Sequence, residues 1–179
     1  MSATIRANGL DIHYTTEGHC PPLLVLHGAT SMGIHDWGPQ RPLLRTNFTL
    51  NKPDASAHHR TDYDVSEGWS RALLVDDALA FADALGLERF HVMALSMGAR
   101  TAVELAARHP ARVLSMLVIG VGLRPEPAAS VARARMDPDK ILDESPVWAA
   151  ELQQRHDPYQ GEGAWRRLLE AIREDTQHL

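Results

Sequence analysis

Ser96 is the side chain in this sequence whose surroundings best suit nucleophilic chemistry. It is the centre of the segment Ala94-Leu95-Ser96-Met97-Gly98, with one small residue two positions before it and another two positions after it. An apolar run predicts a strand over 90–95, and helical periodicity predicts a helix directly after the serine. Such a sharp turn exposes the hydroxyl, and the free N–H groups of the helix start can stabilise a developing negative charge. The pattern indicates acyl transfer; the alternative is a serine that caps an ordinary helix.

A second motif lies upstream, where an apolar run ends in His27-Gly28. The run over 23–26 is continuous, as expected of a central strand that is covered on both faces. A glycine at the end of such a strand lets the backbone turn outward, so that the amide of the next residue, Ala29, can point at a ligand. Together with the Ser96 segment, this motif favours the nucleophile over the helix cap.

The order of the predicted elements indicates an α/β protein. Asn8-Gly9 between two alternating segments predicts an N-terminal hairpin. Further strands are predicted over 23–26, 48–50, 90–95 and 113–119, with helical segments over 34–45, 70–85 and from 99 between them. This alternation predicts a mostly parallel sheet with helices on both faces. After Gly122 the chain has no strand-like run, so we predict a core over 1–122 and a helical region over 123–179, with helices near 128–135, 139–143, 147–155 and 163–177.

The composition is ordinary for a single globular domain and limits the partners. The 179 residues are 44% hydrophobic and 23% charged, and the net charge of −5 without a basic patch argues against nucleic acid. The single cysteine, Cys20, allows no internal disulfide and indicates a reducing compartment. No signal peptide or membrane span is recognisable, so a cytoplasmic protein is expected. The oligomeric state is not predictable from these features.

The two motifs resemble those of the α/β-hydrolase superfamily, on the side of its single-domain esterases, cofactor-free haloperoxidases, dehalogenases and carbon–carbon bond hydrolases. The resemblance covers residues 4 to about 122. The run that ends in His27-Gly28 looks like the family's strand and oxyanion loop, and the Ser96 segment is similar to its nucleophile elbow. Residues 54–62 match the family's Asp-x-Arg-Gly-x-Gly-x-Ser loop only in part, with three replacements: Ser56 for the arginine, and Ala57 and His59 for the glycines.

The resemblance implies a role for each matching residue. Ser96 would be the nucleophile, and the backbone N–H groups of Ala29 and Met97 would form the oxyanion hole. The supporting loop residues would be His27, Gly28 and Gly98, and the helical region over 123–179 would be a cap over the substrate. The implied activity is hydrolysis of an ester or similar acyl bond of a small apolar molecule, with no cofactor and no metal.

The resemblance also implies a catalytic acid and a histidine that follow Ser96 on the family's seventh and eighth strands. No counterpart of these strands precedes Leu179, so a C-terminally truncated chain is expected. The alternatives are an inactive truncated product and a non-catalytic ligand-binding member of the fold. His58 and His59 are the first candidates for a replacement base, although exposed or helix-end positions are the simpler expectation for both and for His156. His13 is expected at the surface, because no metal-site spacing surrounds it.

Overall fold

Six strands form one sheet in the computed structural model, which describes residues 1–19, 21–121 and 134–175. The spatial order of the strands is β1-β2-β4-β3-β5-β6. β3 pairs in parallel with β4 and β5, and β5 pairs in parallel with β6, whereas β2 runs antiparallel to both β1 and β4. The predicted α/β class with a mostly parallel sheet is therefore confirmed. The strands are β1 (Ser2–Ala7), β2 (Leu10–Glu17), β3 (Pro22–Leu26), β4 (Thr49–Pro53), β5 (Phe90–Leu95) and β6 (Val113–Ile119).

Helices occupy the connections between the parallel strands. These helices are α1 (Arg41–Leu44), α2 (Arg71–Ala84) and α3 (Met97–Arg108). Three further helices follow β6 in the described ranges: α4 (Pro138–Glu144), α5 (Pro146–Gln160) and α6 (Ala164–Asp175). The side chain of Ser70 caps α2 by accepting the N–H of Leu73 at 3.2 Å, and Gly86 follows its end with a φ of 69°. In the segment over 34–45, Pro39 and Pro42 limit the helix as expected: residues 34–40 form turns, and only a short helix begins at Arg41.

The hairpin that opens the fold follows from its turn residues. Asn8 and Gly9 both have positive φ angles, of 47° and 75°, which a two-residue turn of this type requires. The register that follows pairs Ala7 with Leu10 and places β2 between β1 and β4. The hairpin thereby brings the N-terminal segment alongside the loop that leaves β4.

The two faces of the sheet bury separate sets of side chains. Alternate residues of β3 and β5, such as Leu24 and Val92, pack under α2 and α3, while Leu23 and Met93 pack on the other face with Trp37. β6 lies at the end of the sheet order and remains largely exposed. The core therefore lies around β3 and β5, the strands from which both sequence motifs emerge.

The three C-terminal helices pack on the rim of the sheet through an apolar stripe of α6. Leu168 and Ile172 contact a cluster that contains Ala57, Trp69 and Leu74. Of the helix predicted near 128–135, residues 128–133 lie outside the described residues, and residues 134 and 135 are helical. The boundary at residue 122 and the last two residues of the helix predicted over 163–177 also lie outside them. The division into a core over 1–122 and a cap over 123–179 stays a prediction. No helix in the described ranges is long and apolar enough to span a membrane.

Candidate active site

Ser96 occupies a strained turn between β5 and α3. Its φ of 51° lies in the left-handed region that L-residues rarely adopt, with a ψ of −108°. The side chain is exposed and makes no capping hydrogen bond to α3. The N–H of Ser96 donates instead to the carbonyl of Ile119 at 2.8 Å, which fixes the turn against the end of β6. A strained serine without a capping bond is what a nucleophile elbow requires, whereas a helix cap needs neither feature.

The first turn of α3 lies directly against the end of β3. A Cβ atom on Gly98 would lie 2.6 Å from the carbonyl oxygens of both Leu26 and His27, so only glycine fits there. The N–H of Gly98 uses this closeness to donate to the carbonyl of His27 at 3.1 Å. The two predicted motifs are therefore joined, and a Cβ on Gly28 would lie 3.7 Å from the Cβ of Ser96.

The side chain of His27 braces the loop that follows β3. Its Nε2 accepts the N–H of Ala55 at 2.9 Å, so Nδ1 carries the proton and donates to the carbonyl of Gly28 at 2.8 Å. Burial lowers the pKa of His27 and keeps the imidazole neutral. Both ring nitrogens are thus engaged with backbone groups of this loop and the loop after β4, which suits a structural role.

Asp36 holds the same loop from the other side. Its Oδ2 accepts the N–H of Gly28 at 2.7 Å, and its Oδ1 accepts the hydroxyl of Ser31 at 2.5 Å. A turn from Gly28 to Ser31 closes between these contacts, with the N–H of Ser31 donating to the carbonyl of Gly28 at 3.2 Å. Sequence reasoning missed Asp36, and its place eight residues after Gly28 carries no motif that would have identified it.

Two amide groups near Ser96 have no acceptor among the residues that the structure describes. Within residues 1–19, 21–121 and 134–175, no hydrogen bond engages the N–H of Ala29 or that of Met97. The neighbouring amides are all used, since Gly28 donates to Asp36 and Gly98 to His27. Met97 directly follows Ser96, and Ala29 directly follows Gly28, where an added Cβ would lie 3.7 Å from the Cβ of Ser96. An anion next to Ser96 could therefore accept hydrogen bonds from both N–H groups.

Two histidines that were expected to be exposed are buried around Thr30. Nε2 of His58 accepts the N–H of Thr30 at 3.3 Å, and Nε2–H of His156 donates to the carbonyl of Thr30 at 3.2 Å. Nδ1 of His58 donates to the carbonyl of Ser56, and Nδ1 of His156 accepts the N–H of His59. Burial lowers the pKa of His58 well below its usual range and that of His156 to about 4. The expectation of exposed histidines is wrong for both, because backbone groups of two loops enclose them.

Two further histidines, His13 and His59, lie beside the carboxylate of Asp54. Nδ1 of His13 and Nδ1 of His59 both lie 2.8 Å from Oδ2 of Asp54. Burial by itself would raise the pKa of Asp54, but hydrogen bonds from His59 and from the N–H of Gly33 outweigh it and hold the pKa at about 2. His13 is buried and not at the surface as expected, since β2 pairs with β4 and turns this side chain inward.

None of these histidines contacts Ser96. In the described part of the chain, each candidate base is already occupied: His58 by two backbone groups and His59 by Asp54. The left-handed conformations of Ala57 and His59, with φ of 65° and 47°, explain why the resembling loop has glycines at these positions. The structure therefore brings together the turn at Ser96 and the loop after β3, and no histidine among the described residues is hydrogen-bonded to the hydroxyl of Ser96.

Residues 21–153 match the family model described as alpha/beta hydrolase fold. The chain is 30% identical over 114 residues to a fluoroacetate dehalogenase from Burkholderia, covering 62% of this chain and 37% of that protein. It is 27% identical over 115 residues to a 2-hydroxy-6-oxo-6-phenylhexa-2,4-dienoate hydrolase from Comamonas testosteroni, covering 62% and 40%.

The fold is also similar to a variant of an epoxide hydrolase from Vigna radiata, with a TM-score of 0.76 and 18% identity over 99% of this chain and 74% of that one. The chain spans 34–44% of the length of the first curated relatives that it matches. Since the family model covers most of the sequence, the chain belongs to the α/β-hydrolase family.

Proposed function

We propose that this chain carries the nucleophile of a serine hydrolase that acts on an ester or similar acyl bond of a small apolar substrate. The observation that supports it most is the exposed, strained Ser96 near two amides that have no acceptor among the described residues. The named relatives are hydrolases of small molecules, which favours the same general class of substrate.

In the proposed reaction, Oγ of Ser96 attacks the carbonyl carbon of the substrate and gives its proton to a base, which passes it to the departing alkoxide. The carbonyl oxygen becomes an oxyanion that accepts the N–H groups of Ala29 and Met97, each typically contributing about 3 kcal/mol to the transition state. The tetrahedral intermediate expels the leaving alcohol and leaves an acyl-serine, which water then hydrolyses to release the acid and restore the hydroxyl. Asp36 and His27 would hold the Ala29 amide in place through their contacts with Gly28.

A base for Ser96 is the part of this proposal that the described residues do not supply. Loss of the base typically costs on the order of a million-fold in rate and leaves about a thousand-fold over water. We therefore expect slow acylation by this chain and full activity only with a histidine and an acid delivered to the elbow. The helices α4–α6 would serve as the cap that excludes water from the substrate.

A fluorophosphonate probe tests the nucleophile. The folded 179-residue chain should be phosphonylated slowly at one residue, identified by peptide mass spectrometry, and Ser96→Ala should abolish the adduct. Ser115→Ala is the matched control, because Ser115 is also exposed and lies 2.8 Å from Nδ1 of His91 but has no strained turn around it. Labelling in the control should equal that of the parent chain.

Two outcomes would contradict the proposal. One is labelling that survives Ser96→Ala while circular dichroism shows both proteins folded. The other is a folded parent chain that forms no Ser96 adduct under conditions in which ordinary surface serines also stay unmodified, which would favour a non-catalytic ligand-binding role.

A further inference from the structure

We propose that His13, Asp54 and His59 form a binding site for a divalent transition-metal ion of the zinc type. One nitrogen of each imidazole and one carboxylate oxygen lie within 4.8 Å of one another. The three residues come from β2, from the end of β4 and from the loop after it. Two imidazoles with one carboxylate form a donor set that suits zinc and its neighbours in the first transition series.

The carboxylate of Asp54 is fixed in the orientation that such a site needs. Its Oδ1 accepts the N–H of Gly33 at 2.8 Å, which leaves Oδ2 to face both imidazoles. The residue is almost completely buried and ionised, so its negative charge is concentrated at this point. A buried carboxylate that faces two imidazole nitrogens attracts a cation more strongly than an exposed acidic cluster does.

The imidazole of His13 and the backbone of His59 are each held by further hydrogen bonds. Nε2 of His13 lies 2.8 Å from the hydroxyl of Ser2, the kind of outer contact that orients a metal-bound histidine. The backbone of His59 is held by α5, since its N–H donates to His156 at 3.2 Å and its carbonyl accepts Nε2 of Gln160 at 3.0 Å. The ligand atoms therefore have little freedom to lose when an ion binds.

Binding of the ion would need only a small rearrangement of the ligand atoms. In a tetrahedral site with metal–ligand bonds of about 2.0–2.2 Å the ligand atoms are about 3.3–3.6 Å apart, so atoms that now lie within 4.8 Å of one another need to shift by about 1 Å or less. With the ion bound, each imidazole would present an unprotonated Nδ1 to the metal and carry its proton on Nε2, so that metal–ligand bonds replace the two contacts with Oδ2 of Asp54. The side chain of His59 is 15% exposed, which leaves an approach for the ion and for a water molecule as a further ligand.

The competing explanation is that Asp54 only orients two imidazoles by hydrogen bonding. This arrangement needs no ion and predicts no stoichiometric uptake. Because the proposed site does not include Ser96, its measurement is a binding experiment and is independent of the proposed hydrolase activity.

The test uses the full chain without an affinity tag, freed of metals by chelator and titrated calorimetrically with Zn²⁺. We expect one ion per chain at micromolar affinity or better and a higher melting temperature in its presence. His13→Gln and His59→Gln should each weaken binding about tenfold or more, since each removes one ligand. His35→Gln is the matched control, because His35 is 55% exposed and its imidazole lies outside the cluster.

Co²⁺ substitution keeps the test decisive if a variant does not fold. X-ray absorption of the loaded parent chain should show two imidazole nitrogens and carboxylate oxygen around the ion. The proposal is overturned if the parent chain takes up no stoichiometric ion, if the absorption spectrum shows no imidazole, or if folded His13→Gln and His59→Gln variants bind as the parent does.

Discussion

Gly98 is the residue at which the candidate site has least room. The carbonyl oxygens of Leu26 and His27 would lie 2.6 Å from an added Cβ, and neither can withdraw without moving the end of β3. We expect Gly98→Ala to reduce the free energy of unfolding by about 1–3 kcal/mol, the usual cost of overpacking, and to slow phosphonylation of Ser96. Urea denaturation and the labelling rate measure the two effects.

Gly38→Ala is the control for this substitution. Only the carbonyl oxygen of His35, at 3.9 Å, lies within reach of a Cβ on Gly38, so the free energy of unfolding should change little. If both substitutions reduced the free energy of unfolding equally, the close approach at Gly98 would not be the cause of the loss.

At the scale of elements, α5 joins the C-terminal helices to the loop after β4 mainly through Gln160. Its Nε2 donates to the carbonyls of His59 at 3.0 Å and Thr61 at 2.8 Å, while its Oε1 accepts the N–H of Tyr63 at 3.3 Å. Gln160→Ala removes the partner of the His59 carbonyl and of the Tyr63 N–H, while the Thr61 carbonyl keeps the N–H of Ala57 at 3.1 Å. We expect a loss of about 1–3 kcal/mol in the free energy of unfolding, measured by urea denaturation.

Gln153→Ala separates this effect from helix propensity. Gln153 lies in the same helix and is exposed, so the same pair of side chains is exchanged without loss of a loop contact. If Gln160→Ala were no more destabilising than Gln153→Ala, the three hydrogen bonds would not be what holds α5 to the loop.

For the whole molecule, the exposed strand β6 is the surface from which we expect self-association. Its edge offers backbone groups for pairing, and its apolar side chains are between 39% and 53% exposed. We expect the 179-residue chain to self-associate, and Leu117→Lys to raise the monomer fraction in light scattering after gel filtration. The exposed apolar residues of β6 are Leu114, Met116, Leu117 and Ile119.

Leu43→Lys tests whether any added charge has the same effect. Leu43 is 73% exposed and lies on α1, away from a sheet edge. A monodisperse monomer in the parent chain, or equal gains from both lysine variants, would contradict a role for the β6 edge.

The sequence by itself determined the elements whose signals are local. The turn residues Asn8-Gly9, the cap at Ser70 and the small residues around Ser96 each act within a few positions of the chain, so the hairpin, α2 and the elbow were predictable. The resemblance to α/β hydrolases followed from these local signals in the right order, and the family match confirms it.

Only the tertiary structure decided the contacts that depend on register and packing. His13 meets Asp54 because β2 pairs with β4 in a register that sets Tyr14 opposite Pro53, which no spacing in the sequence specifies. His156 reaches Thr30 across 126 positions, and its burial follows from how α5 lies on two loops. Polar side chains of this kind look exposed in a sequence, because their partners are backbone groups that become neighbours only when the chain folds.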